Sequence, residues 1–296
     1  MADTEEITIS QAQAPFDDLS NGDIILRSAN GVDFHVFKLI LSLMSPVFKD
    51  MFAIPQSESP SSHHSRTPSS TLLSCRHPNL GSLDDAKAVI KAASKYDMQA
   101  ALSRAGDLVM AQFLPNHCLE LYALSCQFGW PHHARTAATR ALEIKDLGRP
   151  SHMFNGLRDI TALDFHRLLE YHYKCGIATQ AVGNSLSWLE SSFKSMQMWK
   201  ECSRCRNSTP IMTVKKDSVA PWFQEYLVSS GRELLARPCE STLLLELSHY
   251  NRAIIKAVEC SSCRTHVLED MHKFRALYIA QVKKVIATVI LEADAD

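Results

Sequence analysis

The sequence predicts a predominantly α-helical chain that opens on a small α+β domain, a short hairpin packed on a helical cluster, and continues as a mostly α-helical extension. Three observations carry this reading. Asn30-Gly31 stands between two short apolar runs, the strongest short-range hairpin signal. From Ser82 onward, helix caps and apolar stripes at helical spacing recur almost to the C-terminus. The 296 residues, 46% of them hydrophobic, suffice for about two globular domains.

Taken in order, residues 1–15 form an acidic stretch expected to be a disordered tail. Asp23-Ile-Ile-Leu-Arg-Ser is a β-type run, and Val32 to Val36 alternates as its return strand. Lys38 to Phe52 reads as two short helices broken at Ser45-Pro46, with Ser45 as N-cap and Pro46 at the first helical position. Pro55 to Thr71 holds seven Ser and three Pro in 17 residues and reads as a flexible loop.

Ser82-x-x-Asp85 is a capping box, and Leu83, Ala86, Ile90 and Ala93 form the stripe behind it. A second helix covers Ala100 to Phe113, before Pro115. Asn116 is the expected cap of the next, which carries Leu119, Tyr122 and Cys126 inward. Pro131 opens another, towards Ile144. Residues 146–159 form a connection. Thr161-x-x-Asp164 is a second capping box, followed by Phe165, Leu168, Leu169 and His172 at i, i+3, i+4 and i+7. Residues 184–200 are expected to be helical, and 201–218 polar and irregular. Pro221 opens a helix towards Leu235, which Pro238 closes. The last helix runs from about Val267 to Leu291, with the stripe Val267, Met271, Phe274, Tyr278, Val282, Val285 and Val289. The expected domains are 16–114, a helical extension 115–183 and a C-terminal helical region 184–296.

Composition excludes several function classes. A net charge of −1 argues against direct nucleic-acid binding. The ten Gly never lie closer than seven positions, which removes the Gly-rich phosphate loops and the nucleophile elbow. No H-E-x-x-H occurs among the 13 His. The N-terminal 18 residues hold five acids and no base, so no secretory signal is read. Val285 to Leu291 falls far short of the ~20 residues of a spanning helix. The expected setting is intracellular, cytoplasmic and/or nuclear, away from the membrane, with the nine Cys reduced.

The hairpin, the His35-x-x-Lys38 pair and Ser45-Pro-Val-Phe48-Lys-Asp-Met51-Phe52 together resemble the opening of a BTB/POZ domain. Ala93-Ser-Lys95-Tyr96 is similar to the lysine–tyrosine helix of that domain. Leu121-Tyr-Ala-Leu, Cys126-Gln-Phe-Gly-Trp130 and the Trp199, Cys202, Cys205, Trp222 layout resemble fungal, mushroom-type BTB proteins. The likeness spans most of 16–291 and is densest over 23–52 and 83–130. It implies a non-enzymatic protein-interaction module, a homodimer or adaptor that recruits partners, among them a cullin-type ubiquitin ligase. Its alternative is a chromatin-associated regulator acting through partners. The implied interaction surface draws on Phe37, Leu41, Met44, Phe48 and Met51, some of which must be core. The family's third strand falls where Pro55 to Thr71 stands, so that strand is expected to be lost and the domain shortened.

Cys202-x-x-Cys205 and Cys260-x-x-Cys263 are the metal candidate. Four thiolates suit tetrahedral Zn²⁺, and a closed four-thiolate site leaves no position for a catalytic water. The 54 residues between the pairs exceed zinc-ribbon spacing, so reduced surface thiols and a redox pair stand beside structural zinc as readings. His166 and His172, like His266 and His272, are six apart, about 120° around a helix, and suit no shared ion. Cys118, Cys126 and Cys175 read as packed thiols. No catalytic residue is assigned, and a zinc or thiol enzyme is the least favoured class.

Overall fold

The computed structural model describes residues 9–14, 16–17, 22–54, 65–67, 81–189, 202, 213–214, 217–245 and 247–292. The chain divides into two compact units, Met1–Asn116 and His117–Asp296.

The first unit is built on a hairpin. β2 (Ile24–Ser28) runs antiparallel to β3 (Val32–Val36), with Ile24 opposite Val36 and Arg27 opposite Asp33. Gly31 takes φ +83° at the turn, a conformation glycine adopts without steric cost. The Arg27 guanidinium grips the Asp33 carboxylate with two bonds of 2.6 and 2.7 Å, which helps pin the register.

Two further strands lie outside the predicted hairpin. β1 (Ser10–Gln11) pairs parallel with β3, and β4 (Ser65–Thr67) pairs parallel with β2, giving the order β1-β3-β2-β4. The expected tail is therefore partly a strand, since Ser10 and Ala12 donate backbone bonds of 2.9 Å to Gly31 and Asp33. Residues 1–8 lie outside the described residues. The expected loop 55–71 likewise carries β4, so a third strand pairs with the hairpin after all; the rest of that stretch lies outside the described residues. The reason is the same in both cases. An open hairpin edge offers a row of unpaired N–H and C=O groups, and an extended segment satisfies them whatever its side chains.

α1 (Lys38–Met44) and α2 (Pro46–Ala53) follow, broken at Ser45 as the sequence predicts. The buried Ser45 hydroxyl accepts from the Phe48 N–H at 3.1 Å and donates to the Tyr96 carbonyl, tying this corner to the end of the next helix. The start of α1 lacks a cap of its own. Asp23 supplies one from the sheet, accepting from the Lys38 N–H at 2.7 Å. α3 (Leu83–Lys95) starts at Ser82, whose hydroxyl accepts from the Asp85 N–H at 3.1 Å, and α4 (Gln99–Phe113) packs back on α3. Leu26, Phe34, Leu41, Phe48, Ile90 and Val109 are buried in this unit.

In the second unit, α5 (Cys118–Gln127) and α6 (Pro131–Ala141) form a helical hairpin. His117, not the expected Asn116, is the N-cap of α5, and its side chain makes no cap bond. Two 3-10 turns, Pro150–His152 and Asn155–Arg158, fill the predicted connection. α7 (Ala162–Asn184) opens on the predicted capping box, with Thr161 and Asp164 satisfying each other's N–H groups at 3.1 and 3.2 Å.

α7 packs along α8 (Pro221–Ala236). A Cβ on Gly176 would stand 2.5 Å from the Leu235 carbonyl oxygen, so the two backbones approach at a distance only glycine permits. This packing joins the expected extension 115–183 to the expected C-terminal region inside one compact unit. β5 (Thr213–Val214) and β6 (Asp217–Ser218) pair antiparallel before α8. Residues 185–189, expected to be helical, lie past the end of α7; residues 190–200, with Trp199, lie outside the described residues. α9 (Glu240–Leu245) and α10 (Leu247–Glu259) occupy a stretch to which sequence reading assigned no helix. α11 (Val267–Thr288) buries Val267, Met271, Phe274, Tyr278 and Val282, the inner part of the predicted stripe. No helix among the described residues is long and apolar enough to cross a membrane.

One buried base in this unit sets a pH dependence. His172 on α7 donates from Nε2 to the Ile144 carbonyl at 3.0 Å, since a carbonyl can only accept. Burial pulls its pKa below the usual 6.5, against the smaller upward pulls of that bond and of Asp146. In the pH range between its lowered native value and ~6.5, the unfolded chain binds more protons than the native one. Stability is therefore fully present above that range and falls as pH drops through it. His172→Gln is expected to flatten the decline in unfolding free energy between pH 7 and pH 5, by at most ~1.4 kcal/mol per pH unit. Identical pH profiles for the two proteins would remove His172 as the source.

Candidate interaction surface and candidate metal centre

α1 is apolar almost all round. Leu41 alone among its residues is buried, 3% exposed, while Leu39 is 69% and Leu43 79% exposed, with Ile40 and Met44 about half exposed. Leu39 and Leu43, and Ile40 and Met44, are four apart and adjacent in angle, so they share one face of the helix. Phe37 just before α1, and Val47 and Ile54 in and after α2, are exposed as well. These exposed apolar side chains make α1 and its flanks the candidate interaction surface of the unit.

Of the five residues predicted to present that surface, Phe37 and Met44 are exposed, and Met51 is half-buried. Leu41 and Phe48 are the core members of the set, so they do not present a surface. Phe48 is 2% exposed and stacks on Tyr96 with ring centroids 4.7 Å apart. The set came from the likeness and not from a helix phase, and the predicted break at Ser45 leaves each helix its own inward residue, Leu41 from α1 and Phe48 from α2. Leu39, Ile40, Leu43 and Val47 were missed because an all-apolar helix does not announce which side its fold covers.

In the second unit the chain gathers thiols. Cys260 follows Glu259, the last residue of α10, and Cys263 lies in the turn before α11. The Arg264 N–H donates to the Cys260 carbonyl at 3.0 Å, and the His266 and Val267 N–H groups reach the Cys263 carbonyl at 3.2 Å, so the C-x-x-C turn folds directly into the helix start. Cys202 meets it from 58 residues away, its Sγ 3.6 Å from that of Cys260. The three sulfurs of Cys202, Cys260 and Cys263 all lie within 4.8 Å of one another. Cys205, the remaining predicted ligand, lies outside the described residues.

Two other thiols and one histidine are accounted for by packing. Cys175 is buried on α7, where desolvation pushes its thiol up to about 11, out of range for a nucleophile at neutral pH. Burial also raises the Cys118 thiol. His172 is the core histidine already described, and His166 on the same helix is exposed.

No curated protein matches the chain. The BTB/POZ domain family model matches residues 16–111, about a third of the chain, nearly all of the first unit from its hairpin through most of α4. With the hairpin, the Ser45-Pro46 corner and the α3–α4 pair in place over those residues, the chain is one that carries an N-terminal BTB/POZ domain, with a predominantly α-helical unit after it.

Proposed function

We propose that this chain is a non-enzymatic interaction scaffold that self-associates through the exposed α1 face of its BTB/POZ domain and recruits protein partners. BTB/POZ domains are protein–protein interaction modules. The observation that carries the reading is the set Leu39, Ile40, Leu43 and Met44, exposed on a seven-residue helix of that domain. A stable pair of chains buries about 800 Å² on each partner, and apolar surface of this kind supplies the centre of such a contact.

Light scattering on the full chain tests it. The wild type is expected at twice 33.1 kDa. Leu43→Asp places an uncompensated charge in the contact but touches no core, so it is expected to give the single-chain mass with unchanged circular dichroism. A wild-type mass of one chain at tens of micromolar, from a folded sample, would sink the reading.

The finer form of the proposal is recruitment to a cullin-type ubiquitin ligase, with the helical unit as the part that selects a substrate. It is favoured by the adaptor role that the BTB likeness implies and by the near-neutral net charge, which argues against direct nucleic-acid contact. Capture from source-cell extract with wild type and Leu43→Asp separates the options. Cullin subunits lost in the variant support the ligase reading. Chromatin factors in their place support the regulator instead.

A further inference from the structure

We propose that Cys202, Cys260 and Cys263 form a structural zinc centre that fastens the turn before α11 to Cys202, 58 residues earlier in the chain than Cys260. The inference is independent of the self-association reading, because the thiols and α1 belong to different units.

The geometry is the first argument. Sulfurs bound ~2.3 Å from a common tetrahedral ion stand roughly 3.8 Å apart. The Cys202 and Cys260 sulfurs are 3.6 Å apart, and the third lies within 4.8 Å of both. A disulfide would use two of the three and leave the last without a role, whereas one ion engages all of them. The second argument is the chemistry of the donor set. Three thiolates with no carboxylate in the group form a soft site, suited to Zn²⁺ and unsuited to Mg²⁺ or Ca²⁺. Placement is the third. Cys260 is buried, while Cys202 and Cys263 are half-buried. The group is therefore enclosed enough to hold an ion and open enough to load one.

On loading, each of the three thiols gives up its proton to solvent as its sulfur bonds the ion, so one Zn²⁺ replaces three protons. The consequence is mechanical. Residues 58 positions apart become cross-linked, and the loop they close is the one that contains α8, α9 and α10. That removes freedom from the unfolded chain, as a disulfide would, in a compartment that keeps thiols reduced.

The test uses the full chain. Protein loaded with excess zinc and then desalted is expected to retain about one zinc per chain by elemental analysis. Cobalt in its place is expected to show the near-ultraviolet sulfur-to-metal charge-transfer band. Chelation is expected to lower the melting temperature, and zinc to restore it. Cys260→Ser and Cys263→Ser are each expected to lower retained zinc at least about tenfold, while Cys118→Ser, a thiol at the start of α5, retains it. Circular dichroism at low temperature confirms that each variant is folded. Should a variant fail to fold, the cobalt band and the zinc content of the wild type still decide. The proposal is overturned by less than about a tenth of a zinc per wild-type chain. It is equally overturned by iron or copper in the site, by zinc retained in both folded variants, or by a Cys202–Cys260 disulfide in non-reducing peptide maps of the isolated protein.

Discussion

Phe48→Ala is expected to destabilise the first unit by about 3–5 kcal/mol, the cost of deleting a fully enclosed aromatic ring. Phe48 is held between two rings, 4.7 Å from Tyr96 at an interplanar angle of 17° and 5.9 Å from Phe52 at 25°. Its own N–H closes the Ser45 cap, so the loosened side chain also loosens the corner between α1 and α2. Little of the hole can refill, because the Tyr96 carbonyl is already bound to Ser45 and holds that end of α3 in place. The chain supplies its own reporter. All four Trp, at 130, 188, 199 and 222, follow residue 116, so circular dichroism follows both units and Trp fluorescence only the second. The expected result is a lower-denaturant transition by circular dichroism, with the fluorescence transition little moved. Lys91→Ala, on the exposed side of α3 and away from the α1 face, is expected to shift neither by more than ~0.5 kcal/mol. A Phe48→Ala loss below ~1 kcal/mol would contradict its placement in the core.

This contrast also marks where sequence reading stops. The hairpin at Asn30-Gly31, the break at Ser45-Pro46, the Thr161 capping box and the inner stripe of α11 were all legible, because each is written by residues within a few positions of one another. β1 and β4 were not. Their partners lie some 20 to 40 residues away, and polar sequence carries no sign of an edge waiting to be paired. The burial of Leu41 rather than Leu43 was unreadable for another reason, since tertiary packing and not the helix itself decides which side of an all-apolar helix is covered. α10 is a plain miss. Tyr250, Ala253, Ile254 and Ala257 stand at helical spacing and pack on the core, and no tertiary knowledge was needed to see them. The thiol centre is intermediate. The C-x-x-C spacing marks each knuckle, but the meeting of Cys202 with Cys260 depends on the path of the three helices between them.

The second large effect is expected at Phe274→Ala, about 3–5 kcal/mol, this time in the second unit. Phe274 lies mid-way along α11 with no exposed surface, at the centre of a ring cluster contributed by three parts of the chain. Phe223 of α8 meets it edge-on at 4.9 Å and 83°, Tyr278 lies 5.4 Å along its own helix, and Trp188 lies 6.2 Å away. Each such pair adds about 0.5–1.5 kcal/mol to the burial of the ring, so truncation costs more than lost area alone. Relaxation is restricted here too. Tyr278 is pinned by Ser230, whose hydroxyl donates to its Oη at 3.4 Å, and burial pushes the Tyr278 phenol up to about 12, so it stays protonated. The predicted signature is the mirror of Phe48→Ala: the Trp fluorescence transition moves to lower denaturant, because Trp188 and Trp222 report from the same cluster. Leu268→Ala, on the exposed side of α11, is the matched control and is expected to move it by no more than ~0.5 kcal/mol. Equal losses for Phe274→Ala and Leu268→Ala would mean that α11 is held by its outer side, and the assignment of its inner stripe to the core would be wrong.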